Sequence, residues 1–175
     1  MIVVLDMVIS PNGFIAREDG NEDWLPSEGW DEFVADAKQY DNIVMGRETY
    51  EQVTRRYKDY NFDSVPVAHK LIVTQNQNFT APDGYTVVHS PEAAMAYLKK
   101  ANIQTLFLIG GGVLNAAFAK RGLISYVRLT VTPHVIGKGR PFLAHDDFEF
   151  ALTLLDVQRL SLGRVRLSYK VNHEA

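Results

Sequence analysis

Ile43-Val44-Met45-Gly46-Arg47-Glu48-Thr49-Tyr50 and, further on, Leu106-Phe107-Leu108-Ile109-Gly110-Gly111-Gly112-Val113-Leu114 decide how this chain folds. Each joins a short, fully apolar run to a stretch of helical character. An apolar run without alternation is the pattern of a strand covered on both faces. A helix that begins just past such a strand aims free N–H groups and the positive end of its dipole at whatever sits there. Phosphate is the usual guest, and glycine lets it come close to the backbone. Two such turns in one small domain point to a ligand with phosphates at more than one place, such as a dinucleotide.

Outward from these turns the chain alternates strand and helix. Residues 2–8 read as a first core strand, Ser10-Pro11-Asn12-Gly13 as a turn, and Phe14-Ile15-Ala16 as a short apolar return. The polar stretch 17–23 reads as a mobile loop. A helix opens after Pro26, with Ser27 as candidate N-cap and Glu28 in its first turn. Trp30, Phe33, Val34, Ala37 and Tyr40 fall on one helical face. Strands are expected within 43–45, 67–74, 85–89 and 106–109, and helices over 47–57, 91–100 and 112–120. Ser90-Pro91-Glu92 carries an N-cap, a proline at the first helical position and an acid beside it. After Leu123 come three strand-like runs, 123–132, 148–158 and 164–171, the last two joined at Ser161-Leu162-Gly163 as a hairpin. The expectation is an α/β fold with a mostly parallel central sheet and an antiparallel C-terminal edge, in one domain spanning 1–175.

The chain has 175 residues, 46% of them hydrophobic and 11% aromatic, enough to fill a core. A formal net charge of −3 gives no global field toward nucleic acid or anionic membrane. With no cysteine, disulfides, thiolate metal sites and cysteine nucleophiles are excluded. The five histidines (69, 89, 134, 145 and 173) lack metal-ligand spacing, so no metal is expected. MIVVLDMVIS has neither a basic leader nor an A-x-A site, and no apolar run approaches the ~20 residues of a membrane span. A cytoplasmic protein without membrane or nucleic-acid partners is the reading that follows.

The motifs SPNGFIA (10–16), DWLP (23–26), MGRETYE (45–51), IVTQN (72–76), LIGGGVL (108–114) and GLISYVRLTVTPHVIGKGRPFL (122–143) stand in an order and spacing that resembles the dihydrofolate reductase-like family. The resemblance is strongest to its branch related to the reductase domain of riboflavin biosynthesis. It implies a three-layer fold with helices on both faces of the sheet and NADPH across the carboxyl ends of the strands. By that resemblance Gly46, Arg47, Glu48 and Thr49 lie beneath the adenine-side phosphates, and Arg47 grips the 2′-phosphate, to which a guanidinium can bind bidentately. Thr74 and Gln75 make the second contact to the adenosine ribose or 2′-phosphate. Gly110, Gly111 and Gly112 approach the pyrophosphate, with the N–H groups of Val113 and Leu114 donating. The nicotinamide rests near Ile15, Ala16 and the first strand from Leu5 to Met7; ordinary core packing is the alternative role for these residues.

On the substrate side, Met7, Trp24, Phe33 and Tyr50 are the candidates. Trp24 is either a pocket wall or an anchor for the loop. Dihydrofolate reductase itself carries a carboxylate about one turn before a phenylalanine on its first helix. If Phe33 is that phenylalanine, Gly29 stands where the acid belongs. Asp31 is then the candidate catalytic group, the alternative being a solvated first-turn acid. Arg17 and Arg140 are candidates for a substrate phosphate, against a glycine-rich surface turn. The resemblance implies an NADPH-dependent reductase acting on a pteridine- or pyrimidine-like heterocycle, as a homodimer. The rivals are a catalytically silent NADP(H)-binding or regulatory protein on the same fold, and a structural α/β domain whose glycines are only turns.

Overall fold

The computed structural model describes residues 1–57 and 61–172. In chain order the elements are β1 (Ile2–Ile9), β2 (Phe14–Arg17), α1 (Glu28–Tyr40), β3 (Asn42–Gly46), α2 (Arg47–Arg56), β4 (His69–Val73), β5 (Tyr85–Val88), α3 (Pro91–Lys100), β6 (Thr105–Leu108), α4 (Gly112–Ala119), β7 (Tyr126–Val131), β8 (Gly139–Pro141), β9 (Ala151–Arg159) and β10 (Val165–Asn172). An eight-stranded sheet runs in the order β5-β4-β3-β6-β1-β7-β10-β9. Its neighbours from β5 to β7 are parallel, whereas β10 pairs antiparallel with both β7 and β9. This is the mostly parallel sheet with an antiparallel C-terminal edge that the residue pattern implies.

The apolar runs feed both faces because successive side chains of a strand point in opposite directions. Val3, Leu5, Val44, Leu71, Leu106 and Leu108 pack with Ala94 and Leu98 of α3 and Leu114 and Phe118 of α4. Val4, Ile43, Met45, Ile72 and Phe107 pack with Ala37 of α1 and Tyr50 and Val53 of α2. Helices thus cover both faces, giving the dihydrofolate reductase-like three-layer α/β fold.

The structure corrects several local readings. Ser27 precedes α1 but has a right-handed helical backbone and makes no capping bond; its hydroxyl donates to Glu28 Oε2 at 3.2 Å. Ser90 is extended (φ −157°), and its Oγ accepts from the Ala93 N–H at 3.1 Å, with Pro91 opening α3. Only an extended cap residue can turn its oxygen back onto the first turn. The stretch 17–23, expected to be a loop, forms a hydrogen-bonded turn between β2 and α1. Arg17 pairs with Asp23, Arg56 Nη2 donates to the Asp19 carbonyl, and Arg140 Nε donates to the Glu18 carbonyl. The Gly-Lys-Gly-Arg run is more than a surface turn: its Gly139 and Arg140 belong to β8, which pairs with β2 in a separate two-stranded sheet. His173 lies outside the described residues.

Candidate active site

β3 and β6 lie side by side in the sheet, so the helices that follow them start side by side. The Gly46 N–H donates to the Gly110 carbonyl at 2.7 Å, tying the two turns together. α2 and α4 have Gly46 and Gly111 as N-caps, and neither start carries a side-chain cap. Their first N–H groups therefore remain available to a ligand. Gly110 has φ +93°, a conformation that favours glycine, and its peptide bond to Gly111 is cis. A Cβ on Gly112 would fall 2.2 Å from the Pro141 carbonyl oxygen, so this glycine is demanded by the chain crossing over α4. That crossing is fixed by Asn115 Nδ2 donating to the Phe142 carbonyl and the Ala144 N–H donating to Gly112, at 2.7 and 3.0 Å.

Around these starts lies a cleft of about 620 Å³. Of the residues the sequence assigns to a dinucleotide, Ile15, Ala16, Gly46, Arg47, Glu48, Thr49, Thr74, Gln75, Gly111, Gly112, Val113 and Leu114 all line it. Gly110 sits behind the wall, where an added Cβ would meet Met7 Cε and Sδ at 3.0 Å. The N-terminus of α3 joins the rim through Ser90 and Pro91, next to His89, whose Nδ1 is 2.8 Å from the Thr74 carbonyl oxygen. Arg47 Nη1 holds both oxygens of Glu51 at 2.9 Å, and among the described residues nothing engages its other donors, which can reach a ligand. The donor set (two uncapped helix starts, the fork of Arg47 and a small apolar wall at Ile15 and Ala16) fits a ligand with separated anionic groups and a flat ring.

The substrate-side candidates scatter. Phe33 is half-buried on α1 and packs against the core, its ring centroid 5.2 Å from that of Trp30 and 6.2 Å from that of Phe107. Tyr50 is buried edge-on against Tyr85 at 5.0 Å. Trp24 is buried and stacks on His134 at 5.7 Å, its Nε1 without a hydrogen-bond partner among the described residues. Asp31 is exposed and does not line the cleft. The acids of α1 that face the sheet are its neighbours: Glu32 pairs with Arg164 at 2.8 Å, and Asp36 pairs with Arg128 at 2.9 Å. Arg128 also holds Asp6, whose carboxyl burial nevertheless pushes up. Of the two arginines weighed for a substrate phosphate, Arg140 lines the cleft and Arg17 does not.

Sequence reasoning missed Glu22, Gln52, Asn76 and Arg121 in the lining. Gln52 was findable, since it stands one helical turn after Glu48 on the same face of α2. Glu22 carries no local signal, because its surroundings come from elsewhere in the chain. Burial pushes its carboxyl up to about 7, with Arg140 and Arg56 pulling weakly the other way.

The model of the RibD C-terminal domain matches residues 1–165. The chain belongs to the RibD C-terminal domain family. YyaP of Bacillus subtilis, described as an uncharacterized protein, is 25% identical to this family member over 181 aligned residues, covering 97% of the chain and 95% of YyaP. The riboflavin biosynthesis protein RibD of Corynebacterium ammoniagenes is 25% identical over 156 residues. That match covers 82% of the chain but 46% of RibD, so the chain spans about half of that relative. The crystal structure of a putative riboflavin biosynthesis protein from Shewanella sp. PV-4 superposes with a TM-score of 0.82, covering 99% of this chain and 100% of the other, at 22% identity. A reductase-type function on this fold follows from the family.

Proposed function

We propose that this RibD C-terminal domain protein is an NADPH-dependent reductase that delivers hydride to a C=N or C=O bond of a pteridine- or pyrimidine-like heterocycle. The observation that carries the reading is the meeting of two uncapped helix starts, joined through Gly46 and Gly110, on one cleft at the ends of the parallel strands. NADPH, when bound, supplies the hydride. The N–H groups at the start of α4 and the residues Gly111 and Gly112 take its pyrophosphate. Arg47, Thr74 and Gln75 take the 2′-phosphate and its ribose. Ile15 and Ala16 offer the nicotinamide a wall poor in water, beside which the second ring is positioned. Charge-assisted hydrogen bonds contribute roughly 1.5–3 kcal/mol each. Micromolar affinity needs about 8 kcal/mol net, so four or five such contacts with ring burial suffice. The riboflavin biosynthesis name of the Corynebacterium relative favours the pyrimidine side of the substrate class.

A second reading keeps the cleft and drops turnover: a silent NADP(H)-binding or regulatory protein. The exposure of Asp31 and the commitment of Glu32 and Asp36 to arginines favour it, since no acid of α1 lines the cleft. Tryptophan fluorescence titrated with NADPH and NADH, followed by NADPH oxidation over dihydrofolate, folate, pyrimidine and simple carbonyl compounds, decides between them. Binding of NADPH in preference to NADH with oxidation is the expected result. Binding without oxidation anywhere supports the silent protein, and no binding at high micromolar concentration ends both.

The protein is further proposed to act as a homodimer in the cytoplasm. Every residue of the edge strand β9 is exposed, and Leu152, Leu154, Leu155 and Val157 are among them. An exposed apolar edge strand is a template for another strand, and a second copy supplies one. Among the described residues, no helix is long and apolar enough to cross a membrane.

A further inference from the structure

The turn after β2 closes through the Arg17 N–H on the Asn21 carbonyl and the Gly20 N–H on the Arg17 carbonyl, both at 2.9 Å. It brings Glu22 back beside Ala16, at the wall of the cleft. This is the end where Ile15, Thr49 and Gly111 converge: a Cβ on Gly111 would lie 3.0 Å from Thr49 Oγ1 and 3.9 Å from Ile15 Cδ1. The main chain of Glu22 is anchored, its N–H donating to the Tyr57 hydroxyl at 3.0 Å.

None of the described residues gives the Glu22 carboxyl a hydrogen bond or an ion pair. The cations that face it are committed elsewhere. From α2, Arg56 donates to Gln52 Oε1 at 3.0 Å and to the Asp19 carbonyl at 2.7 Å. From β8, Arg140 donates to the Glu18 carbonyl at 3.3 Å and sits 3.7 Å from Glu48. On its own turn, Asp23 is held by Arg17 at 2.9 Å and adds only a like charge. A carboxyl so placed keeps its proton up to about pH 7. It is thus a neutral acid beside an apolar wall, with a proton to give.

We propose that Glu22 is the proton donor of this cleft, giving its proton to the nitrogen or oxygen of the C=N or C=O bond being reduced. The proposal rests on the reductase reading above. Glu22 delivers the O–H proton as the hydride supplied by NADPH makes the new C–H bond. The π pair of the double bond becomes the N–H or O–H bond. The heterocycle is reduced, the nicotinamide is oxidised, and the Glu22 carboxylate recovers a proton from water. An acid that serves a proton transfer works best when its pKa lies near the working pH.

NADP⁺ carries a ring charge that NADPH lacks, and a carboxyl beside that ring gives up its proton more readily when NADP⁺ binds. Calorimetric titration of the wild type at pH 7, in buffers of different ionisation enthalpy, is expected to show proton release with NADP⁺ that is absent with NADPH. This comparison needs no variant. Glu22→Gln is expected to bind both nucleotides and to abolish the difference. With the reducible member of the heterocycle panel, the wild-type single-turnover rate is expected to fall as pH rises through about 7. Glu22→Gln is expected to lower that rate by roughly 100-fold or more and flatten the profile, at unchanged NADPH affinity. Identical proton release with the two nucleotides in the wild type, or a Glu22→Gln rate and pH profile matching the wild type, overturns the assignment and leaves the reductase reading standing. Absence of nucleotide binding, or of oxidation with every compound, overturns that reading and the proposal with it.

Discussion

Arg47 holds Glu51 one helical turn away, its Nη1 2.9 Å from each carboxylate oxygen. The pair fixes the guanidinium at the start of α2, and among the described residues its Nη2 and Nε have no partner. It also places a carboxylate beside the proposed 2′-phosphate subsite, where it offsets part of the attraction. Arg47→Ala is expected to weaken NADPH binding roughly ten- to a hundred-fold, the equivalent of one charge-assisted contact, and to leave NADH unchanged. Glu51→Gln is expected to tighten NADPH a few-fold. Fluorescence titration with both nucleotides checks each, and equal loss of NADPH and NADH in Arg47→Ala contradicts the role given to Arg47.

Gly112→Ala is expected to destabilise the fold by about 1–3 kcal/mol, because its methyl group meets the Pro141 carbonyl oxygen at 2.2 Å and the crossing chain has to shift. Gly137 has open space where a Cβ would stand and no positive φ, so Gly137→Ala is expected to stay within about 0.5 kcal/mol of wild type. Urea unfolding of the two variants makes the comparison. Equal stability would show that the chain over α4 yields freely.

Glu22 sets a pH dependence of stability independent of any substrate. Its folded pKa of about 7 lies above its ordinary value of 4.5, so the native state binds the extra proton between those pH values. Stability from this group is full below pH 4.5 and is lost as pH rises to 7 and beyond. The loss is on the order of 3 kcal/mol for this separation of the two values. Asp6, also pushed up by burial, acts in the same direction. Urea unfolding at pH 5 and pH 8 is expected to show a larger fall for wild type than for Glu22→Gln. Parallel curves would mean that the carboxyl is well solvated.

Sedimentation at micromolar concentration is expected to give a particle of two 19.7 kDa chains. Leu154→Lys combined with Val157→Lys is expected to give one chain, since these side chains are 52% and 56% exposed on β9 and cost the monomer little. A wild-type monomer at every concentration contradicts the dimer.

The central architecture was legible because its signals are local. An apolar run, a glycine and a helical pattern lie next to one another at Gly46 and again at Gly111. Most of what was missed is non-local. β8 exists because it pairs with β2, and nothing near Gly139 announces that partner. Glu22 owes its raised pKa to burial that the fold alone creates, against the opposing pull of Arg140 and Arg56. Ser27 and Ser90 look alike as caps, and only the backbone conformation separates them. Phe33 and Tyr50 read as pocket residues in the sequence because an aromatic residue on an apolar face looks the same whether it meets ligand or core. α1 and α2 press them inward.

The link from the Gly46 N–H to the Gly110 carbonyl works as a ruler. The distance separating the two sets of free amides is set by main-chain geometry and the spacing of adjacent strands, with no side chain taking part. Residues on the outer faces of α2 and α4 can therefore drift without rescaling that gauge. The turn bearing Glu22 and the strap carrying Arg140 line the same cleft but are attached to the ruler without being divisions on it, so they can change while the gauge stays fixed.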